Sequence, residues 1–208
     1  RKNKITYRYI PTDTDEKYIT ATDKNILKTI NNVTKKSGFV MMQHNKISNL
    51  LFDPQIFNEQ PFYYDQVTKA RDIATYAYTK ESYTQSPDVY VYHNGKEQKF
   101  STLNPQQQQY NWGTASLYHW KTFSGKAATG ILYKPENFDS AKKYPVILYF
   151  YEKLSDNLYK YIPPAPTPSR LNISFFVSRG YVVMAPDISY TTGHPAKSAY
   201  DYIVSGAK

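Results

Sequence analysis

Two runs of almost unbroken apolar residues set the first constraint on this chain. Val146 to Tyr151 (VILYFY) and Tyr181 to Pro186 (YVVMAP) are each about one strand long and lack the alternation of a half-exposed strand. Such strands need both faces covered, as in the parallel part of an α/β sheet. Between them Leu171 to Arg179 reads as a helix, with Phe175, Phe176 and Val177 apolar and Gly180 placed to end it. Strand 144–151, helix 171–179 and strand 181–185 therefore form a βαβ unit, with a right-handed crossover expected. Functional groups in open α/β sheets collect at the carboxyl ends of the strands. Here those ends are Tyr151-Glu152-Lys153 and Pro186-Asp187. A further helix begins within Lys197 to Ile203.

The first 110 residues follow another pattern. Alternation appears in Ile5 to Tyr9, in Ala74 to Tyr78 and in Val89 to Tyr92, and the last run meets the turn His93-Asn94-Gly95. Asn-Gly between strand-like runs is a strong hairpin signal. The chain's 22 Tyr and 13 Pro against 8 Gly favour sheets and ordered loops over helical bundles. Strands at this spacing suggest antiparallel sheets of a sandwich or propeller. One helix is expected among them: Asp23 can cap Asn25 to Asn32, where Ile26, Leu27 and Ile30 share a face. Thr102 to Gln109 is polar and reads as a linker, so the boundary is placed near residue 110, giving domains 1–110 and 111–208. Beyond it, Leu117 to Trp120 and Gly130 to Tyr133 flank the turn Ser124-Gly125 as a second hairpin.

Charge and composition narrow the chemistry. The net charge of +9 is spread evenly, +4 over residues 1–110 and +5 over 111–208, and no basic run exceeds a doublet such as Lys35-Lys36 or Lys142-Lys143. That is a soluble lysine surface and not a nucleic-acid footprint. No apolar run approaches the ~18 residues of a membrane span, and no signal-peptide pattern opens the chain. With no Cys there are no disulfides, thiol nucleophiles or thiolate metal ligands. His44, His93, His119 and His194 have no ligand spacing, so neither a metal nor a cofactor is expected. The chain starts without Met and stops within a helical pattern, so it is expected to be a piece of a longer protein.

Motifs for nucleophilic catalysis are missing. No G-x-S-x-G occurs, and Ser205-Gly206 lacks the preceding Gly. No Gly-rich phosphate loop occurs either. Asp13, Asp15 and Glu16 read as a solvated turn, and Asn32-Val33-Thr34 and Asn172-Ile173-Ser174 match the glycosylation triplet, which is frequent by chance. Asp187 suits either catalysis or bonding of local backbone N–H groups, and the second is favoured. Tyr151 stands out because a phenol at the end of a parallel strand can direct its hydroxyl to a developing oxyanion.

From Asp88 onward the chain resembles the prolyl oligopeptidase family, in particular its dipeptidyl peptidase IV-like branch. The resemblance rests on SPDVYVY, KFSTLNPQ, LYHWKTFSGKAATGILYKPENFD, KKYPVILYFYEK, FFVSRGYVVMAPD and YTTGHPAKSAYDYIVSG, in consistent order over about 120 residues. It implies a mixed β and α/β fold: antiparallel propeller-type strands, then the N-terminal part of an α/β-hydrolase sheet. It implies a peptide substrate cleaved by a Ser-Asp-His triad, often after Pro, with that triad beyond Lys208 and this fragment inactive alone. Tyr151 falls on the family's oxyanion-hole Tyr. The resemblance is compatible with an exported or periplasmic enzyme. An esterase on the same scaffold and a non-catalytic peptide- or glycan-binding module are the alternatives. A hydrolase sheet stopped before its central strand leaves edges open, so self-association is expected. Two places depart from the family: Glu152-Lys153 follow Tyr151 where small residues are common, and Ile188-Ser189-Tyr190 stand where many relatives have a Gly-Arg-Gly-like turn.

Overall fold

The computed structural model describes residues 4–11, 18–20, 22–53, 56–57 and 67–208. The turn holding Asp13, Asp15 and Glu16 lies outside them. The chain divides into two compact units, Arg1–Pro105 with Tyr159–Tyr161, and Gln106–Leu158 with Ile162–Lys208.

The first unit is built from antiparallel strands. One sheet has the order β1-β2-β3-β4, with β1 Ile5–Tyr9, β2 Asn25–Asn31, β3 Ser37–Gln43 and β4 Lys46–Asp53. The other comprises β5 Ile56–Phe57, β6 Thr68–Lys69, β7 Thr75–Ser82, β8 Gln85–His93 and β9 Lys96–Lys99, in the order β5-β7-β8-β9 with β6 also pairing β7. Asn94 and Gly95, both at positive φ (48° and 77°), turn β8 into β9 as the Asn-Gly pair predicts. The core is formed by Ile10, Ile26 and Phe39 with Val67, Tyr76, Tyr78 and Tyr90. Phe39 meets the Tyr78 ring edge-on at 5.3 Å, an arrangement that adds to simple burial. Tyr76, Tyr78 and Tyr90 thus serve as core residues, two of them with bonded polar tips: the Tyr78 hydroxyl reaches Glu97, and Tyr90 accepts a bond from Gln85.

Where a helix over residues 25–32 is expected, the strand β2 stands instead. This strand pairs with β1 on one side and β3 on the other, and Asn25 to Thr29 are all buried. Burial of five successive positions, 25 to 29, leaves no alternation to mark a strand, so apolar residues at 26, 27 and 30 are compatible with both structures. Asp23 closes a turn, its N–H bonding Thr20 O at 3.1 Å, and caps no helix.

A 3₁₀ turn, Pro105–Gln109, lies where the sequence suggests a linker; Gln107 within it is buried. The sheet that follows has the order β10-β11-β13-β12: β10 Thr114–Lys121, β11 Ala127–Lys134, β12 Val146–Leu148 and β13 Val182–Pro186. β10–β11 is the expected hairpin, β11–β13 is antiparallel, and β12–β13 is the expected parallel pair. β13 is buried at every position. The helix α1 spans Ile173–Val177, shorter than the predicted 171–179, and Asn172 caps it by accepting from Phe175 N at 2.9 Å. The helix α2, Pro195–Ala207, extends the predicted 197–203 in both directions. Its Tyr202 and Ile203 pack on Ala128, Trp120 and Leu148.

β12 is also shorter than the apolar run that announces it. Its ladder covers three residues, and Tyr149 N adds one further bond to Met184 O. Val146, Phe150 and Tyr151 are exposed at 55%, 49% and 77%. β12 is the end strand of the sheet, so only one of its edges is paired.

Gly130 shows how closely β11 and β13 approach. A Cβ there would lie 2.7 Å from Ala185 O and 2.8 Å from Pro186 Cα, both backbone atoms. Gly130→Ala is expected to cost about 1–3 kcal/mol through forced backbone shifts. That lowers the thermal midpoint by about 2–4 °C per kcal/mol in a chain of this size. An unchanged midpoint would show that the sheet yields there at no cost.

Candidate functional site

The ends of the parallel pair converge as the sequence suggests, and the group that joins them is Asp187. Its Oδ1 accepts from Leu154 N at 2.7 Å and from Ser155 N at 2.8 Å, and its Oδ2 accepts from the Ser155 hydroxyl at 2.5 Å. Ser155 is fully buried. Asp187 N in turn bonds Thr129 O on β11 at 2.9 Å. Asp187 thus bonds backbone N–H groups, as favoured from sequence, but those of residues 32 and 33 positions away and not local ones. A carboxylate suits it because it accepts several bonds at once, and each charge-assisted bond exceeds a neutral one in strength.

Tyr151 lies on the segment that this clamp holds. Two more bonds tie the segment down: Ile188 N to Glu152 O at 2.7 Å, and the Tyr190 hydroxyl to Tyr151 O at 2.9 Å. The Tyr151 phenol itself is 77% exposed, and its hydroxyl makes no hydrogen bond among the described residues. The main chain is fixed while the side chain faces outward. Lys153 pairs with Asp156 at 2.7 Å on the surface, so the charged turn is partly self-neutralised.

Ser155 and Tyr190 carry no sequence signal; each is paired across more than 30 residues with a partner only the fold supplies. The histidines stay apart. His93 Nδ1 lies 2.6 Å from the Thr75 hydroxyl and His119 Nδ1 2.9 Å from the Thr129 hydroxyl. Among the described residues no group of His, Asp and Glu converges to hold a metal ion. Asn172, in a glycosylation-like triplet, is occupied as the α1 cap and donates to Pro163 O and Ala165 O.

Each unit contains a concavity. One, of about 830 Å³ in the first unit, is floored by Met41, Tyr76 and Tyr92 and rimmed by Lys24, His44 and Lys46. Burial, with Tyr92 nearby, raises the Tyr76 phenol above its usual pKa. The other, of about 480 Å³, lies beside α2 and includes Ser124, His194 and Asp201.

A second carboxylate clamp, also missed from sequence, closes the first unit. Asp88 on β8 accepts from the Ser101 hydroxyl and Leu103 N, each at 2.9 Å, and from Lys99 at 2.7 Å. Burial alone would raise its pKa, but the bonds from Lys99, Leu103 and Ser101 outweigh it and hold the group below its usual value of 3.8. The stabilisation is therefore present above that value and is lost as pH falls through the lower, folded-state pKa. Acid unfolding of the wild type is expected to steepen below about pH 4, and Asp88→Asn should flatten that limb, as urea midpoints across pH would show. Parallel acid limbs for the two proteins would rule this out.

Comparison with known proteins sets the geometry in context. No family model matches the chain. It is similar to the "Probable dipeptidyl-peptidase 5" of Aspergillus terreus, with 39% identity over 72 residues, 33% of this chain and 9% of that protein. Its fold matches Porphyromonas gingivalis dipeptidyl peptidase 4 with a TM-score of 0.57 and 18% identity, over 82% of this chain and 23% of that one. It matches the AtxE2 isopeptidase with a TM-score of 0.57 and 11% identity, over 82% of this chain and 25% of that one. The chain thus spans about a quarter of the length of these solved relatives. It is thus similar in sequence, over 72 residues, to a dipeptidyl peptidase, and similar in fold to solved peptidases over a part of their length.

Proposed function

We propose that this chain is part of a serine peptidase of the prolyl oligopeptidase type. In this reading residues 1–110 are the last strands of a β-propeller, residues 111–208 open an α/β-hydrolase domain, and Tyr151 is an oxyanion-hole donor. The observation that carries it is the position of Tyr151. A phenol follows a parallel strand in a sheet of order β10-β11-β13-β12, with its main chain held and its hydroxyl turned outward. A donor fixed before the reaction stabilises charge that appears only in the transition state.

The division of labour follows from chemistry. A Ser Oγ needs a His to take its proton and an acid to orient that His. No G-x-S-x-G occurs in these 208 residues, so the reading assigns the nucleophile and its partners to sequence outside them. The 208-residue chain alone is then inactive toward aminoacyl-Pro amides, and a fluorophosphonate labels the full-length protein at a Ser outside residues 1–208. Tyr151→Phe in the full-length protein is expected to lower kcat by about 10²–10³ with little change in KM. An unlabelled full-length protein, or a Tyr151→Phe variant at wild-type kcat, would overturn the reading. Faster turnover of simple esters than of aminoacyl-Pro amides would favour an esterase.

The concavity floored by Met41, Tyr76 and Tyr92 favours a second reading, a peptide- or glycan-binding module. Ligand affinity in a full-length protein that takes up no fluorophosphonate would select it. The unpaired edge of β12 also bears on the isolated chain, because exposed strand edges recruit partners. Light scattering is expected to show concentration-dependent association of the 208-residue chain. A monomer at high concentration would count against it.

A further inference from the structure

The segment carrying Tyr151 is tied to the segment after β13 at four successive anchor points. Asp187 holds Leu154 and Ser155, Ile188 N holds Glu152 O, and the Tyr190 hydroxyl holds Tyr151 O. These ties differ in kind. Those from Asp187 and from the main chain of Ile188 fix the loop as a whole. The tie from Tyr190 acts on the peptide of Tyr151 itself and comes from a half-exposed side chain (43%), outside the packed core. It also arises where the sequence departs from the Gly-Arg-Gly-like turn, and no glycine could supply that hydroxyl.

Building on the peptidase reading above, we propose that Tyr190 is a positioning residue for the oxyanion donor Tyr151. By holding the Tyr151 carbonyl it fixes the main-chain torsions at that residue, and with them the direction in which the Cα–Cβ bond carries the ring. The phenol hydroxyl sits at the far end of the ring, so a small rotation of the peptide is magnified there. Misplacing a catalytic group by about 1 Å can cost about 10²-fold. Because its hydroxyl is spent on the Tyr151 carbonyl, Tyr190 acts through Tyr151 and does not itself contact the reacting atoms.

Tyr190→Phe removes one hydroxyl and keeps the ring, so it breaks the tie without opening a cavity. In the full-length protein with alanyl-prolyl-4-nitroanilide, it is expected to lower kcat about 10-fold, with KM within about twofold. In a Tyr151→Phe background the same substitution is expected to have no further effect, since a residue acting through Tyr151 has nothing left to position. Amide exchange reads the tie without any activity: in the 208-residue chain Tyr190→Phe should speed exchange over residues 152–155 while the thermal midpoint stays put. Unchanged exchange overturns the proposal. So does an unchanged kcat, or an equal loss in both backgrounds, which is the signature of a merely structural contribution. A wild-type full-length protein that takes up no fluorophosphonate overturns the peptidase reading, and the role of Tyr190 with it, whatever the exchange result.

Discussion

The Asp187 carboxylate is the contact on which the end of the parallel pair depends. The β12–β13 ladder stops at the pair Leu148 and Met184, with one extra bond from Tyr149 N. Beyond that point the regular ladder stops, and main-chain groups that lose a ladder partner must find another or remain exposed to water. Asp187 supplies the substitute by receiving two successive N–H groups and the buried Ser155 hydroxyl. The cost of leaving such donors unsatisfied, about 1–3 kcal/mol each, exceeds what a surface contact could contribute, so the loop is drawn to the carboxylate and its course is fixed. The outward attitude of Tyr151 is a consequence of that course.

The first unit uses the same solution at its own exit. After β9 the chain leaves the sheet, and Asp88 receives Ser101 and Leu103 from the departing segment. The electrostatics differ, since Lys99 adds an ion pair to a side chain that is 5% exposed. The bonds from Lys99, Leu103 and Ser101 together hold the Asp88 carboxyl below its usual value against the opposing effect of burial.

How much of this was legible in the sequence depended on distance along the chain. The Asn94-Gly95 and Ser124-Gly125 hairpins were readable because turn chemistry is local, and the βαβ unit was readable from two apolar runs and a helix between them. The strand at Asn25–Asn31 was not, because burial of five successive residues erases the alternation that separates a strand from a helix. The early end of β12 was not readable either: nothing in VILYFY says that the strand has a neighbour on one side alone. Within the candidate site, Tyr151 and Asp187 were marked by position at strand ends. Ser155 and Tyr190 were invisible, since each acquires meaning from a partner 32 or 39 residues away.

The two departures from the family pattern can be weighed with the same contacts. Glu152 enters the anchored loop through its carbonyl oxygen, a group every residue has, and its side chain is exposed. The backbone path is therefore insensitive to what stands at 152, and small residues are not required for it. Lys153 pairs with Asp156 in an exposed contact worth about 0–1 kcal/mol, too little to direct the chain. Glu152-Lys153 thus alters the charge displayed beside Tyr151 and leaves the geometry to Asp187. The change at 188–190 works the other way, because Tyr190 adds a tie that reaches the main chain of Tyr151 directly. One departure changes the electrostatic surroundings of the phenol, and the other stiffens the peptide that carries it.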